Sequence, residues 1–177
     1  MTVQPFLEAA LLLLVVVAAV NDLASRRIPN RLLLAGWLCA LPLYLLGPAP
    51  AAALAAALGG AVLGLMIFLP FYLLRGMAAG DVKLMATVGF FVGPAATFEI
   101  AILSWCAGGV MALVIIVCKG SLRTAFCNVR DLLRPLLMRA VGIPAASVPM
   151  GQPSVGSMPY GLAITIATIV WLTSSYR

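Results

Sequence analysis

The sequence predicts an all-α, polytopic membrane protein with about six transmembrane helices and a cytoplasmic amphipathic segment between the fifth and sixth, and three observations predict it. Hydrophobic residues make up 64% of the 177 positions and charged residues only 9%, against roughly 45–50% and about 25% in soluble domains; mean hydropathy is +1.15. The apolar residues run on without alternating, which favours helices over a closed barrel, the other architecture that satisfies its backbone within hydrocarbon. Basic residues fall in alternate connections between the apolar runs.

Taken in order, the apolar runs cover 5–20, 32–46, 52–74, 82–93, 95–118 and 160–173, all within one domain over 1–177. A spanning helix needs roughly 17–25 residues, so 52–74 and 95–118 are long enough outright and 32–46 and 160–173 are short. The twelve residues of 82–93 cover about 18 Å, so this helix borrows from its flanks or begins below the membrane surface. The opening "MTVQPFLE" has no basic residue and carries Glu8, the wrong leader region for a secretory signal, so the first helix is expected to remain.

Arg26, Arg27 and Arg31 follow the first helix, Arg75 and Lys83 the third, and Lys119, Arg123, Arg130, Arg134 and Arg139 the fifth; only Arg177 lies elsewhere. By the positive-inside rule these connections are cytoplasmic and the N-terminus lies outside. The net charge of +6 is then a topology signal. It implies lipid as a partner and no nucleic acid. Within 119–158, Phe126, Val129, Leu133, Leu136, Leu137 and Ala140 recur at helical spacing, the pattern of a helix lying on the inner surface. Pro135 divides it, and "GIPAASVPMGQPSVGSMP" reads as a tether.

No histidine is present, and Cys39, Cys106, Cys118 and Cys127 form no C-x-x-C pair, so the sequence predicts neither a metal site nor a cofactor. The acids number five: Glu8, Asp22, Asp81, Glu99 and Asp131. Topology brings Asp22, at the end of the first helix, and Asp81, at the start of the fourth, to the same membrane level. Each has a plain structural reading, Asp81 as a helix cap and Asp22 as an interfacial partner of the arginines after it. Together they suggest more, because ionisable groups in spanning segments are costly and mark functional pathways. Like charges at short range cannot both ionise, so such a pair shares a proton and titrates as a unit; one member can activate water while the other donates to a scissile carbonyl. Gly80 beside Asp81 allows close backbone approach. Lys83, two residues on, faces away from Asp81 on a helix and reads as an interfacial anchor. Pro29 with Asn30, and Pro159 with Tyr160, are placed to stop one segment and cap the next, and Gly60-x-x-x-Gly64 suits close helix packing.

"DLASRRIPN" (Asp22 to Asn30), "AAGDVKLMA" (Ala78 to Ala86) and "MPYGLAI" (Met158 to Ile164) together resemble the type IV prepilin peptidases, membrane aspartic peptidases of the GxGD class. The resemblance implies that Asp22 and Asp81 are catalytic, that Tyr160 lies near them, and that no cofactor is needed. It implies cleavage of the short basic leader of prepilins or pseudopilins after a glycine, at the cytoplasmic face of a bacterial inner membrane. Two departures stand out. The first motif glycine is Ala78 here, and the connection 23–31 is too short for the zinc-binding insert of the long members to which N-methylation is attributed. The chain is therefore similar to the short peptidases of tight-adherence (Flp) pilus systems, cleaving without methylation. Other readings remain: an archaeal preflagellin peptidase; a signal-peptide peptidase, which expects Tyr-Asp where this chain has "VNDLA"; an inactive assembly factor of the same fold; or a small transporter or proton-linked channel with the aspartates as relays.

Overall fold

The computed structural model describes residues 3–74, 76–118 and 159–175. Its described residues form helices and no strand: α1 (Gln4–Ser25), α2 (Asn30–Leu45), α3 (Pro50–Leu73), α4 (Ala79–Cys118) and α5 (Tyr160–Ser175). Two compact units are distinguished. The first, Met1–Gly109 with Pro159–Arg177, holds everything discussed below; in the second, Val110–Met158, the described part is the last stretch of α4. Arg75, Cys127, Asp131 and the amphipathic segment expected within 119–158 lie outside the described residues.

α1, α3 and α4 are long and apolar enough to cross a membrane. α2 and α5 have 16 residues each, about 24 Å of helix. α4 counts 40 residues but is broken at Gly93 (φ 76°, ψ 176°), next to Pro94. This break falls where the sequence ends one apolar run and begins the next. Pro94 has no N–H, so the Phe90 carbonyl loses its helical donor. The Tyr44 hydroxyl of α2 supplies one, lying 2.7 Å from Phe90 O and 3.0 Å from Phe91 O.

The short stretch of α4 before the break is the centre of its unit. Every residue from 84 to 91 is buried, which explains why this segment shows no amphipathic stripe. α3 reaches it through glycines: a Cβ on Gly60 would strike the Gly89 carbonyl, and one on Gly64 would lie 2.6 Å from Met85 O. The Gly60-x-x-x-Gly64 spacing therefore serves backbone-to-backbone packing, as small residues do between membrane helices. From α2, Trp37 stacks on Phe90 with centroids 4.2 Å apart and donates from Nε1 to Thr87 Oγ1 at 3.1 Å. α5 packs on α1, pinned by Thr165 Oγ1, which donates to Val15 O at 2.8 Å.

Two helix ends differ from the hydropathy reading by three residues or more, and both differences fall at the aspartates. α1 continues five residues past Val20 to Ser25, because its polar residues bond back into the helix: Asn21 Nδ2 donates to Val17 O at 2.8 Å and Ser25 Oγ to Asn21 O at 2.9 Å. It stops at Arg26, whose backbone is left-handed (φ 53°, ψ 29°) and whose N–H donates to Asp22 O at 2.9 Å, a common helix termination. α4 begins at Ala79, three residues before the apolar run.

Candidate functional site

Asp22 sits in the last turn of α1 and Asp81 in the first turn of α4. They are 5% and 4% exposed, and Arg26 acts electrostatically on Asp22, in keeping with its reading as a partner of the arginines after it. Burying two acids is tolerable only if their oxygens are satisfied, and backbone amides do this. Gly161 N–H donates to Asp22 Oδ2 at 2.9 Å, and the Leu162 amide also faces Asp22. Ala78 N–H donates to Asp81 Oδ2 at 3.3 Å. The Gly161 amide lies within reach of Asp81 as well, and the two carboxylates act on each other electrostatically.

Helix geometry accounts for this arrangement. The first amides of a helix lack internal partners and carry partial positive charge. At α5 those amides meet Asp22, a residue 139 positions earlier; at α4 the cap-position amide of Ala78 meets Asp81, three residues on, one half of a capping box. Two helix N-termini thus converge on two acids. Asp81 does cap its helix, as the plain structural reading holds, and it does so beside a second carboxylate.

The motifs around the aspartates touch each other. A Cβ on Gly80 would lie 3.4 Å from Ile28 Cβ, so the start of α4 rests against the buried Ile28 of "RIPN". Lys83 projects toward α2, where Nζ donates to Asn30 Oδ1 at 3.1 Å on the exposed surface. Pro29 takes the cap position of α2 (φ −65°, ψ 128°) and no side chain caps that helix; Asn30 was expected to share in capping, but its side chain is engaged by Lys83. Pro159 is buried and its carbonyl accepts from Leu162 N–H at 3.2 Å. The half-buried ring of Tyr160 meets Phe68 edge-on at 6.0 Å, lies against Gly108, and feels the charge of Asp81. Gly108 thus makes room for a ring, whereas Gly109 has nothing within 4 Å of a Cβ. Among the described residues only Arg26 and Gly93 have left-handed φ, so Ala78 occupies backbone open to alanine despite standing where the motif has glycine.

Gly161 is the residue that the sequence reading passed over. A Cβ there would lie 2.9 Å from Asp22 Oδ2 and 3.2 Å from Asp22 Cβ, so glycine lets the carboxylate approach the α5 amides. Its one sequence signal is a glycine directly after Pro159-Tyr160 at the head of an apolar run.

Two buried, mutually interacting carboxylates, with amides fixing one oxygen of each, form a group that can hold a proton and pass it on. A comparison with protein families matches residues 9–113 to the type IV leader peptidase family. The chain belongs to that family. The matched span takes in both aspartates, Ile28, Asn30 and the glycines of α3 and α4. No curated protein and no solved structure matches the chain. Membership makes this a protease of the leader-peptidase kind, and its three long apolar helices suit a membrane protein.

Proposed function

We propose that this leader-peptidase family member is an aspartic endopeptidase that removes the short basic leader of Flp-type prepilins and pseudopilins after a glycine. The observation that carries the reading is the meeting of Asp22 and Asp81 at the Gly161 amide, buried at one end of the bundle. One aspartate, ionised, takes a proton from water as the oxygen attacks the scissile carbonyl carbon; its partner, protonated, gives its proton to the carbonyl oxygen. Collapse of the tetrahedral intermediate breaks the C–N bond, and the leaving amine takes up the proton gained from water. As the carbonyl re-forms, a hydroxyl of the intermediate returns a proton to the partner aspartate, so both carboxyl groups end in their starting protonation states.

In this reading the chain crosses the inner membrane six times, with the break at Gly93 separating the fourth and fifth crossings. The N-terminus is periplasmic and the aspartates face the cytoplasm, because Arg26, Arg27, Arg31 and Lys83 gather at their end. That is the side on which a basic leader would lie. Gly80 and Ile28, Pro29 and Asn30 with Lys83, and Pro159 with Tyr160 shape the site around the acids. Lacking the zinc-binding insert, the enzyme leaves the new N-terminus unmethylated.

Co-expression with a short Flp-type prepilin tests the reading. Wild type and Glu99→Gln are expected to cleave; Asp22→Asn and Asp81→Asn, at equal protein level, are expected to lose about 10²-fold or more. Persisting cleavage in either asparagine variant would refute the shared-proton pair and move the relay reading of a transporter forward.

A further inference from the structure

A groove lies where α2, α3 and α4 meet, beginning at the Lys83–Asn30 pair that flanks the aspartates. Asn30, Leu33, Leu34 and Trp37 of α2, Leu65 of α3, and Lys83, Ala86 and Thr87 of α4 line an open groove of about 380 Å³. Its polar groups are distributed unevenly. Deep in the groove, the Trp37 indole N–H is spent on Thr87 Oγ1, whose own proton goes to Lys83 O at 2.9 Å, so this part offers carbon surface only. The Trp37 ring is held against Phe90, 11° from coplanar, which gives the groove a rigid floor. At the mouth stands an ammonium. Lys83 Nζ meets one neutral oxygen, Asn30 Oδ1, and among the described residues no carboxylate neutralises it. A lysine has three donors, so two remain for a ligand.

An alkyl-lined groove with an uncompensated cation at its mouth complements an amphiphile with an anionic head. Basic pockets between transmembrane helices select such lipid head groups. We propose that this groove binds an anionic phospholipid, its phosphate at the Lys83 ammonium and one acyl chain along Leu33, Leu34, Trp37 and Leu65. Lys83 then links lipid to the catalytic end of α4, since the same helix turn carries Asp81 on its other face. The inference does not depend on which peptide the enzyme cuts.

The test measures binding of phosphatidylglycerol and phosphatidylcholine, with identical acyl chains, to the detergent-solubilised full-length chain by intact-complex mass spectrometry. Wild type is expected to prefer phosphatidylglycerol about fivefold, the contribution of one basic residue near an anionic head group. The preference is expected to persist in Lys83→Arg and in Arg27→Gln, a basic residue at the same end but outside the groove, and to vanish in Lys83→Gln. Equal binding of the two lipids by wild type, or a preference that survives Lys83→Gln, overturns the proposal. A second arm leaves Lys83 untouched: a photo-reactive residue in place of Leu34 is expected to capture phosphatidylglycerol in membranes. Capture of a co-expressed prepilin instead would show the groove to be a peptide-docking surface and overturn the lipid assignment.

Discussion

The acids at the two ends of the bundle are held in opposite ways. At one end Asp22 and Asp81 are buried, and the hydrogen bonds they accept come from backbone amides of helix N-termini. At the other, about 21 Å along α1 from Asp22, Glu8 lies half-buried in a shallow groove with Pro5, Leu12 and Ile169, and the exposed Glu99 accepts the Trp171 indole N–H at 2.8 Å. An exposed carboxylate can tie helices together with a single side-chain donor, as Glu99 does. The two carboxylates buried beside each other here take main-chain donors, which cannot swing away. The contrast separates Glu99, which joins two helices, from the pair proposed above to carry the chemistry.

Removing charge from each end should break or uphold that distinction most clearly. Asp22→Asn and Asp81→Asn keep a carbonyl oxygen for Gly161 N–H or Ala78 N–H, so the fold should persist while cleavage falls by about 10²-fold or more, as measured by leader removal from a co-expressed prepilin. Gly161→Ala should follow. Its methyl would press on Asp22 Oδ2, and since a displacement of about 1 Å can cost about 10²-fold, a loss of at least about tenfold is expected, with the protein still folded. A fully active Gly161→Ala would show that the amide–carboxylate approach is not needed for catalysis.

Smaller effects sharpen the same comparison through stability. Tyr44→Phe strips the Phe90 carbonyl of its donor beside Pro94, and an unmet buried acceptor costs about 1–3 kcal/mol; thermal unfolding in detergent should register a lower midpoint, with catalytic residues untouched. Least affected should be Glu99→Gln, which retains an acceptor for Trp171 and lies on the surface, where changes stay within about 0.5 kcal/mol. A large loss of activity there would mean that both ends of the molecule serve the chemistry.

Much of this site was legible from residue order. Scarcity of charge singled out Asp22 and Asp81, the order of the apolar runs placed them at one end, and the boundary between the runs 82–93 and 95–118 falls where α4 breaks. The extension of α1 to Ser25 was not legible, because hydropathy falls at Asn21 while the helix continues through side-chain bonds to its own carbonyls. The role of Gly161 was hidden for a different reason. A missing Cβ has meaning only beside the group that fills its space, and that group lies 139 positions away. The brevity of the fourth apolar run, an apparent defect when each segment is judged as a lone span, suits a stretch enclosed by protein from residue 84 to 91.

If the proposed chemistry takes place at Asp22, its bond from Gly161 N–H makes α5 a reporter on it. Whatever competes for that oxygen, whether an attacking water, a bound peptide or a proton, competes also with the anchoring of the first turn of α5, and by linkage the two equilibria must shift together. Amide hydrogen exchange at positions 161 and 162 should therefore quicken when a substrate analogue draws on Asp22 and slow again on its release, giving a view of site occupancy that requires no cleavage.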